Sequence, residues 1–549
     1  MPEAGPATKP SVLLAFRSAV ALHRLLDVLP VFEGDDRIDR WFTQVPGSEF
    51  DLDAWAALDR SGARTMDFEQ ARERHFDLIV FASPKGELRS LSARTRALLP
   101  HGAGFNKTFH SEGSPGLPSG LDPAFLLEDG EPWADLHGLG HGSELARLAE
   151  HCPLSVPRAV VVGDPTLDRL RESQGLRESY RDELGVGDRT LLAVLSTHGK
   201  ESLLSRHHGL PLELVLHLPV DSYRVALVIH PNTVSALGPH NLAEYLRPAQ
   251  RAGLLLPSSY QEWASVLVAA DAVLTDHGST ALYAAALGHA VILDGYDGGS
   301  ELIPGTPMAR LLAAAPRFTR VAELPELLRK ATGSDTSEFT AETFAHPDRA
   351  LPRLRTELYR LLGLTPPRTP PKPRLLPPPA APHAPASSLV VRAEVDGRRV
   401  YVERFPNGIE LPVHHRVAQH GAAGFTEQRS AEVLWRRPGT GRWSVAGWAA
   451  HVLDELPGCR IAAALLSHER CLLVHRHHGA FALHVPPYRA DGRIRRIDPD
   501  AAVSAVYAWL VAHPRLVGEL PVEIECTVDT VTVRLELGAA DPEDLDAEL

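Results

Sequence analysis

The sequence predicts an α/β protein of two similar halves, followed by a proline-rich linker and a small α+β domain. Three observations predict it. Short apolar runs of strand length alternate with helix-length segments over residues 11–362, as in parallel sheets covered on both faces. Ten prolines fall within residues 366–385, a density that holds the backbone extended. Beyond them the apolar period changes to two. SLVVRAEV and RRVYVERF flank Asp396-Gly397, a pair that supplies the positive φ angles of a tight primed hairpin turn.

In the first half, 11–16 is the opening strand and 19–29 a helix with one apolar face. Residues 40–45 form a second strand and 50–61 a helix. HFDLIVFAS at 75–83 is the clearest buried strand, and 91–98 reads as a helix. Leu98-Leu99-Pro100 then leads into the turn from His101-Gly102 to Lys107. Residues 108–131, rich in Gly, Pro and Ser, form a long surface loop. Residues 133–137 are extended, 142–151 helical and 158–162 a β-branched strand. Gly163-Asp164-Pro165 opens the helix 166–172. Gly138-x-Gly140-x-Gly142 reads as a loop into a helix. As a dinucleotide fingerprint it lacks a full preceding strand and an acidic partner.

The second half repeats the alternation. Strand 191–195 ends in Ser196-Thr197-His198-Gly199-Lys200, and strand 224–229 ends in His230-Pro231-Asn232. Helices are expected at 212–218, 242–252 and 260–270, with 254–257 extended. Strand 272–274 is broken by Thr275-Asp276-His277-Gly278. A helix over 281–287 follows, capped by the Ser279 and Thr280 hydroxyls and ended by Gly288, and then strand 290–293. Closing helices occupy 311–315, 321–328 and 351–362. These are two Rossmann-like domains, 1–165 and 166–364, with a ligand cleft where the carboxyl ends of the two sheets face each other. A linker (365–388), an α+β domain (389–538) and an acidic, disordered tail (539–549) complete the chain. In the third domain, 461–466 with 471–475 and 522–528 with 531–537 are antiparallel pairs. Residues 444–456 and 499–512 are its helices, and Trp443 and Trp448 anchor its core.

The totals fit a folded protein of about three domains. A net charge of −13 argues against nucleic acid as a partner for the whole molecule. Cys152, Cys459, Cys471 and Cys526 have no CxxC spacing and read as buried thiols rather than a disulfide framework or a zinc site. No signal peptide or membrane-spanning run is legible, so a cytoplasmic location is expected. Asp51-x-Asp53 and Asp498-x-Asp500 have a metal-like spacing, but neither follows a convincing buried strand, and they read as turn or cap residues. His475-Arg476-His477-His478 reads as a polar turn rather than a metal site.

Chemistry concentrates at the predicted strand ends. His101, His230, and Asp276 with Ser279 and Thr280 stand where loops of an open α/β sheet look into the ligand crevice. A histidine there is suited to take a proton from a hydroxyl nucleophile near neutral pH. Lys107, Lys200 and His230, together with Thr197, Asp276 and the Ser279–Thr280 helix start, are the candidates for holding a diphosphate.

Gly163-Asp164-Pro165-Thr166-Leu167-Asp168-Arg169-Leu170 is similar to the G-x-P-x-x-D-x-L segment entering the second half of GT-B-fold transferases. Over about residues 75–305 the chain most resembles the CDP-glycerol glycerophosphotransferase (teichoic-acid polymerase) family. His101-Gly102 with Lys107 resembles that family's His-Gly with a nearby Lys, at a spacing one residue longer. His230-Pro231 matches its His-Pro. Thr275-Asp276-His277-Gly278-Ser279 matches its Thr-Asp-Tyr-Ser-Ser, with His277 replacing the tyrosine and Gly278 the first serine. The resemblance implies a GT-B architecture with His101 as general base and His230 and Ser279–Thr280 at the donor diphosphate. It implies transfer of a glycerophosphate or glycosyl unit from a nucleotide-diphosphate donor to a hydroxyl acceptor, lipid-linked or polymeric, with no cofactor and no essential metal. A lipid-linked acceptor would bring the protein to the inner membrane face. The alternative is a non-catalytic scaffold or sensor whose residues 389–538 bind a protein partner. Sugar-nucleotide epimerases and other GT-B glycosyltransferases share the architecture, and fold alone does not choose between them.

Overall fold

The computed structural model describes residues 9–47, 58, 62–108, 113–257, 262–380, 385–439, 443–515 and 520–549. The helix expected over 50–61, apart from Leu58, and the Asp51-x-Asp53 pair fall outside these residues.

The first lobe is a parallel sheet of β1 (Ser11–Phe16), β2 (Asp39–Gln44), β3 (His75–Phe81), β4 (Ser92–Leu98), β5 (Leu136–Leu139) and β6 (Ala159–Val161), in the order β2-β1-β3-β4-β5-β6. The second contains β7 (Thr190–Ser196), β8 (Tyr223–Ile229), β9 (Ala272–Thr275), β10 (Ala290–Asp294) and β11 (Arg317–Phe318), also parallel, in the order β8-β7-β9-β10-β11. Both faces of each sheet are covered at its centre, which is why β1, β7, β9 and β10 are nearly continuous apolar runs. Val12, Leu14 and Phe16 pack with α1 (Ala19–Val28), while Leu13 and Ala15 face the opposite layer. Both orders reverse direction at the first strand. Each lobe therefore has a switch point, between β1 and β3 and between β7 and β9, where ligands enter such sheets.

Residues 91–98 correct the expected helix. They form β4, paired with β3 and β5, because sheet pairing outweighs the helix propensity of Leu, Ala and Arg. α2 (Gly142–His151) and α3 (Pro165–Glu172) lie as read. In the second lobe, α4 (Pro231–Leu237) follows β8 and α5 (Thr280–Ala286) follows β9. α6 (Ala350–Leu362), grouped with the second lobe by sequence, packs Leu351, Leu354, Leu358 and Tyr359 into the first lobe's core. The chain thus crosses between the lobes twice, and the 163–170 motif builds both crossings. Asp164 caps α3 by accepting from the Thr166 and Leu167 amides. Asp168 accepts from Asp348 N (2.7 Å) and Ala350 N (2.8 Å), fixing the start of α6. Gly163 sits at φ +92°, and a Cβ there would lie 2.8 Å from the Ala345 carbonyl oxygen, so only glycine fits.

The proline-rich segment is irregular, as its composition dictates, but it is docked rather than free. Its carbonyls accept from Arg169 Nε (to Arg374 O, 2.9 Å) and Tyr180 OH (to Leu376 O, 2.6 Å). The Leu376 side chain is buried in the second lobe's core.

Past the linker, β12 (Ser388–Asp396), β13 (Arg399–Pro406), β14 (His415–Gln419), β15 (Val433–Arg436), β16 (Ile461–Leu465), β17 (Arg470–His475), β18 (Gly479–His484), β19 (Val522–Val528) and β20 (Val531–Ala539) close into a barrel. The order is β12-β13-β19-β20-β18-β17-β16-β15-β14, and β14 pairs back onto β12. α7 (Pro499–Ala512) is buried from Pro499 to Leu510 and shares one core with Val400, Val433, Ile461, Leu473 and Ile524 of the strands. The expected α+β domain is therefore a closed barrel packed around a helix. Its hairpins are local and legible, whereas closure depends on the distant pairs β13–β19 and β12–β14. The acidic tail is ordered: Leu549 is fully buried and its amide donates to Trp443 O (2.8 Å). Trp448 anchors this region, but Trp443 is half exposed and stacks on His451. The four thiols are free and buried. Among the described residues no helix is long and apolar enough to cross a membrane.

The barrel is bolted to the second lobe by Arg404, which is 1% exposed. Its guanidinium donates to Asp221 (Nε to Oδ2, 2.8 Å) and pairs with Asp500 at the start of α7 (2.6 Å). Truncating Arg404 strands two buried carboxylates, so Arg404→Leu should cost about 3 kcal/mol or more. The measurement is chemical denaturation followed by fluorescence of the buried Trp448 and Trp509. Replacing Asp221 and Asp500 by Leu as well should recover part of that loss.

Candidate functional site

A cleft of about 290 Å³ opens between the carboxyl ends of the two sheets, at both switch points. The first lobe contributes Ala82 after β3, His101 after β4 and His137 from β5. The second contributes Thr197 and His198 after β7, His230 after β8, and Ser279 with Thr280 after β9. Lys107 also lines it. Six of the eight residues singled out from sequence, His101, Lys107, Thr197, His230, Ser279 and Thr280, thus share one gap.

The two histidines are held in opposite tautomers. His101 Nδ1 lies 3.2 Å from Ala82 O. A carbonyl only accepts, so Nδ1 carries the proton and Nε2 the lone pair. His230 Nδ1 accepts from the Asn232 amide (3.2 Å) and caps α4, which places its proton on Nε2. His101 is open to the cleft but lies deep between the lobes. Desolvation and the Arg24 guanidinium lower its pKa to about 4. Desolvation and the charges of His198, His101 and Lys107 lower that of His230 to about 3. Both rings are neutral at physiological pH, one a base and the other a donor.

Across the cleft the lobes nearly touch. A Cβ on Gly102 would lie 3.3 Å from Ser279 Oγ. Ser279 sits at the start of α5 with helical φ and ψ, and its hydroxyl makes no cap bond. That corrects the capping role expected from sequence: the hydroxyl lines the cleft instead. Gly278, where the resembled family has serine, is required here, since a Cβ would meet Thr197 Cγ2 at 2.5 Å.

Two candidates do not face the cleft. Lys200 is exposed and lies outside its lining. Asp276 is buried beneath it, accepting from Thr197 N (2.8 Å), Thr197 Oγ1 (2.9 Å), Leu203 N (2.9 Å) and Gly278 N (3.1 Å). Its carboxylate is spent on joining the loops after β7 and β9, and an anion there would repel a diphosphate. Lys107 reaches the cleft already paired with Glu301 (3.6 Å), whose carboxylate also meets His277 Nε2 (3.2 Å). Burial lowers the Lys107 pKa.

Sequence reasoning missed several contributors. His198 lines the cleft, its Nδ1 3.1 Å from Thr233 Oγ1 and its ring 6.1 Å from that of His230. Its place at the end of β7 was the available signal. Glu144 had none, because its partners are distant in sequence. Its buried carboxylate accepts from Gly104 N (3.1 Å) and Gly140 N (2.7 Å), while Arg147 donates to Gly104 O and Phe105 O. Through these two residues α2 grips the loop that carries His101. Among the described residues no cluster of three or more His, Cys, Asp or Glu has an arrangement able to hold a metal ion.

The fold and the cleft define a two-lobed α/β protein with a polar interlobe site. No protein-family model and no curated protein sequence matches the chain. Among solved structures it is similar to the wall teichoic acid polymerase TagF, with TM-score 0.44 and 14% identity over 65% of this chain and 88% of that one. It is also similar to UDP-GlcNAc 2-epimerases. The Methanocaldococcus jannaschii enzyme, in complex with UDP-GlcNAc and UDP, has TM-score 0.41 and 13% identity over 64% and 99%. The Neisseria meningitidis enzyme, bound to UDP-GlcNAc, has TM-score 0.42 and 12% identity over 64% and 99%.

Burial raises the Glu144 pKa from 4.5 to about 7, against the lowering effect of its two amide donors. The unfolded chain releases this proton first, so Glu144 makes stability fall as pH rises through that interval. The fall amounts to about 3 kcal/mol at most. Glu144→Gln keeps an acceptor for one amide and removes the titration. Relative to the parent, the variant should gain stability between pH 5 and pH 7, read from unfolding midpoints at both values.

Proposed function

We propose that the chain is a transferase that moves a glycerophosphate or glycosyl unit from a nucleotide-diphosphate donor to a hydroxyl acceptor. One observation carries this reading: His101 and His230 meet across a single cleft in complementary tautomers, a proton acceptor on one lobe and a proton donor on the other. His101 Nε2 takes the acceptor's hydroxyl proton. In glycerophosphate transfer, the acceptor oxygen bonds to the β-phosphorus as that atom's bond to the bridging oxygen breaks. The nucleoside monophosphate leaves with the electron pair. In glycosyl transfer, the same oxygen bonds to the anomeric carbon and the nucleoside diphosphate leaves. In both, His230 Nε2–H and the Ser279 and Thr280 hydroxyls donate to the phosphate oxygens, and Lys107 supplies positive charge. Fixed donors of this kind stabilise charge that grows on the leaving group without reorganising. The family resemblance of the His-Gly, His-Pro and Thr-Asp-x-x-Ser segments supports the same roles.

His101→Ala should lower turnover of a CDP- or UDP-linked donor by about 10²- to 10⁴-fold while leaving its dissociation constant, measured by calorimetry, within about twofold. Equal loss of binding and turnover would remove the base assignment. Ser279→Ala should weaken donor binding, and Lys200→Ala should change neither. With the base titrating near pH 4, the acid limb of kcat/KM should lie well below the 6.5 of an ordinary histidine. Failure of CDP-, UDP- and GDP-linked donors alike to bind would favour the non-catalytic scaffold.

A further inference from the structure

His137 is a cleft-lining side chain that the proposed chemistry leaves without a task. It lies on β5, in register with Leu98 of β4, and is 2% exposed. Both ring nitrogens are shut off from solvent and neither has a hydrogen-bond partner, although the residue is among those lining the cleft. Buried imidazoles ordinarily find a partner in the protein, and each exception calls for a reason. The surroundings say what kind of partner fits. The adjacent wall is apolar, formed by Val20, Ala82, Leu98, Leu99 and Phe105. Burial alone acts on the titration of His137, whereas Arg24 and Lys85 act on His101, and Lys107 acts on His230. Positive charge thus lies near both His101 and His230, and no charged group acts on His137. A phosphate placed there would have no counter-charge. A neutral imidazole offers one donor and one acceptor, and a hydroxyl complements either.

We propose that His137 hydrogen-bonds a neutral hydroxyl of a polyol or sugar, distinct from the hydroxyl that His101 deprotonates. The site therefore selects a ligand bearing such a further hydroxyl over one without it. The assignment rests on the transferase reading for the identity of the ligand. That ligand is either the acceptor or the transferred unit of the donor.

The test reads the ring nitrogens directly and does not require turnover. In protein labelled with ¹⁵N-histidine, the His137 ring signals are assigned by their loss in His137→Gln. They are then followed while glycerol, 1-propanol, CDP and CDP-glycerol are added in turn. A shift with glycerol but not 1-propanol supports the proposal and places the hydroxyl on the acceptor. A shift with CDP-glycerol but not CDP supports it and places the hydroxyl on the donor. Signals that stay still with all four, or that respond equally to glycerol and 1-propanol, overturn it. His137→Phe should then weaken binding of the responding ligand about tenfold or more, and an unchanged affinity would also overturn it. Turnover of CDP-glycerol with a silent His137 would spare the transferase reading while ending this proposal. A responsive His137 without turnover would do the reverse.

Discussion

Everything at the cleft depends on a buried junction in which Arg24, Asp164 and Tyr283 meet. Arg24 comes from the first helix, Asp164 from the crossing between lobes, and Tyr283 from α5 of the second lobe. Arg24 donates to Asp164 (3.0 Å) and to Tyr283, and the Tyr283 hydroxyl donates to Asp164 (2.6 Å). Asp27, Thr166 and Arg169 extend the network, with Arg169 paired to Asp27 at 2.8 Å. Removing Arg24 or Asp164 would leave the other's charge buried without its partner, and that cost far exceeds the net worth of the pair. Such a network adds little to stability but tolerates few arrangements, so it sets how the lobes face. Arg24 Nε also donates to the His101 carbonyl (3.3 Å), which ties the base loop to the same reference point.

A second stitch closes the other side. Thr108 N donates to Glu301 O (2.9 Å) and Ile303 N to Asn106 O (2.8 Å), a strand-like pairing between loops of different lobes. Lys107 sits between these bonds with its ammonium on Glu301. A diphosphate entering the cleft must therefore compete with a carboxylate for that cation. The Thr197 hydroxyl is likewise engaged, donating to the buried Asp276 carboxylate (2.9 Å), whereas the Ser279 hydroxyl makes no cap bond and lines the cleft. In the proposed reading, phosphate recognition rests on neutral donors first and on the lysine second, an arrangement that favours directional hydrogen bonds over long-range attraction.

How far the sequence foretold this follows from what is local. The alternation of apolar runs, the strand-ending His230 and the hinge motif at 163–170 are each set by neighbours in the chain, and they stand where the pattern put them. The failures are all long-range. Residues 91–98 have helix-forming composition, and only the flanking strands make them a strand. Asp276 looks like an anion site residue until Thr197 and Leu203, more than seventy positions away, are seen to use up its oxygens. Gly278 looked like a lost serine, yet Thr197 occupies the space a side chain would need. Glu144 and His137 carried no periodicity or motif at all. Barrel closure was equally hidden, since a hairpin has the same local pattern whether or not its sheet closes.

The position of the barrel limits what it can do. Arg404 grips Asp221, two residues before β8, whereas His230 immediately follows that strand. The seven residues of β8 separate the two by roughly 23 Å, at about 3.3 Å per residue. The barrel is therefore fastened to the amino end of the second sheet while the cleft lies at its carboxyl end. No barrel residue is among those lining the cleft. Two further ion pairs, Arg493 with Glu178 (2.8 Å) and Arg495 with Asp188 (3.3 Å), fasten the barrel to the same lobe, again away from the cleft lining.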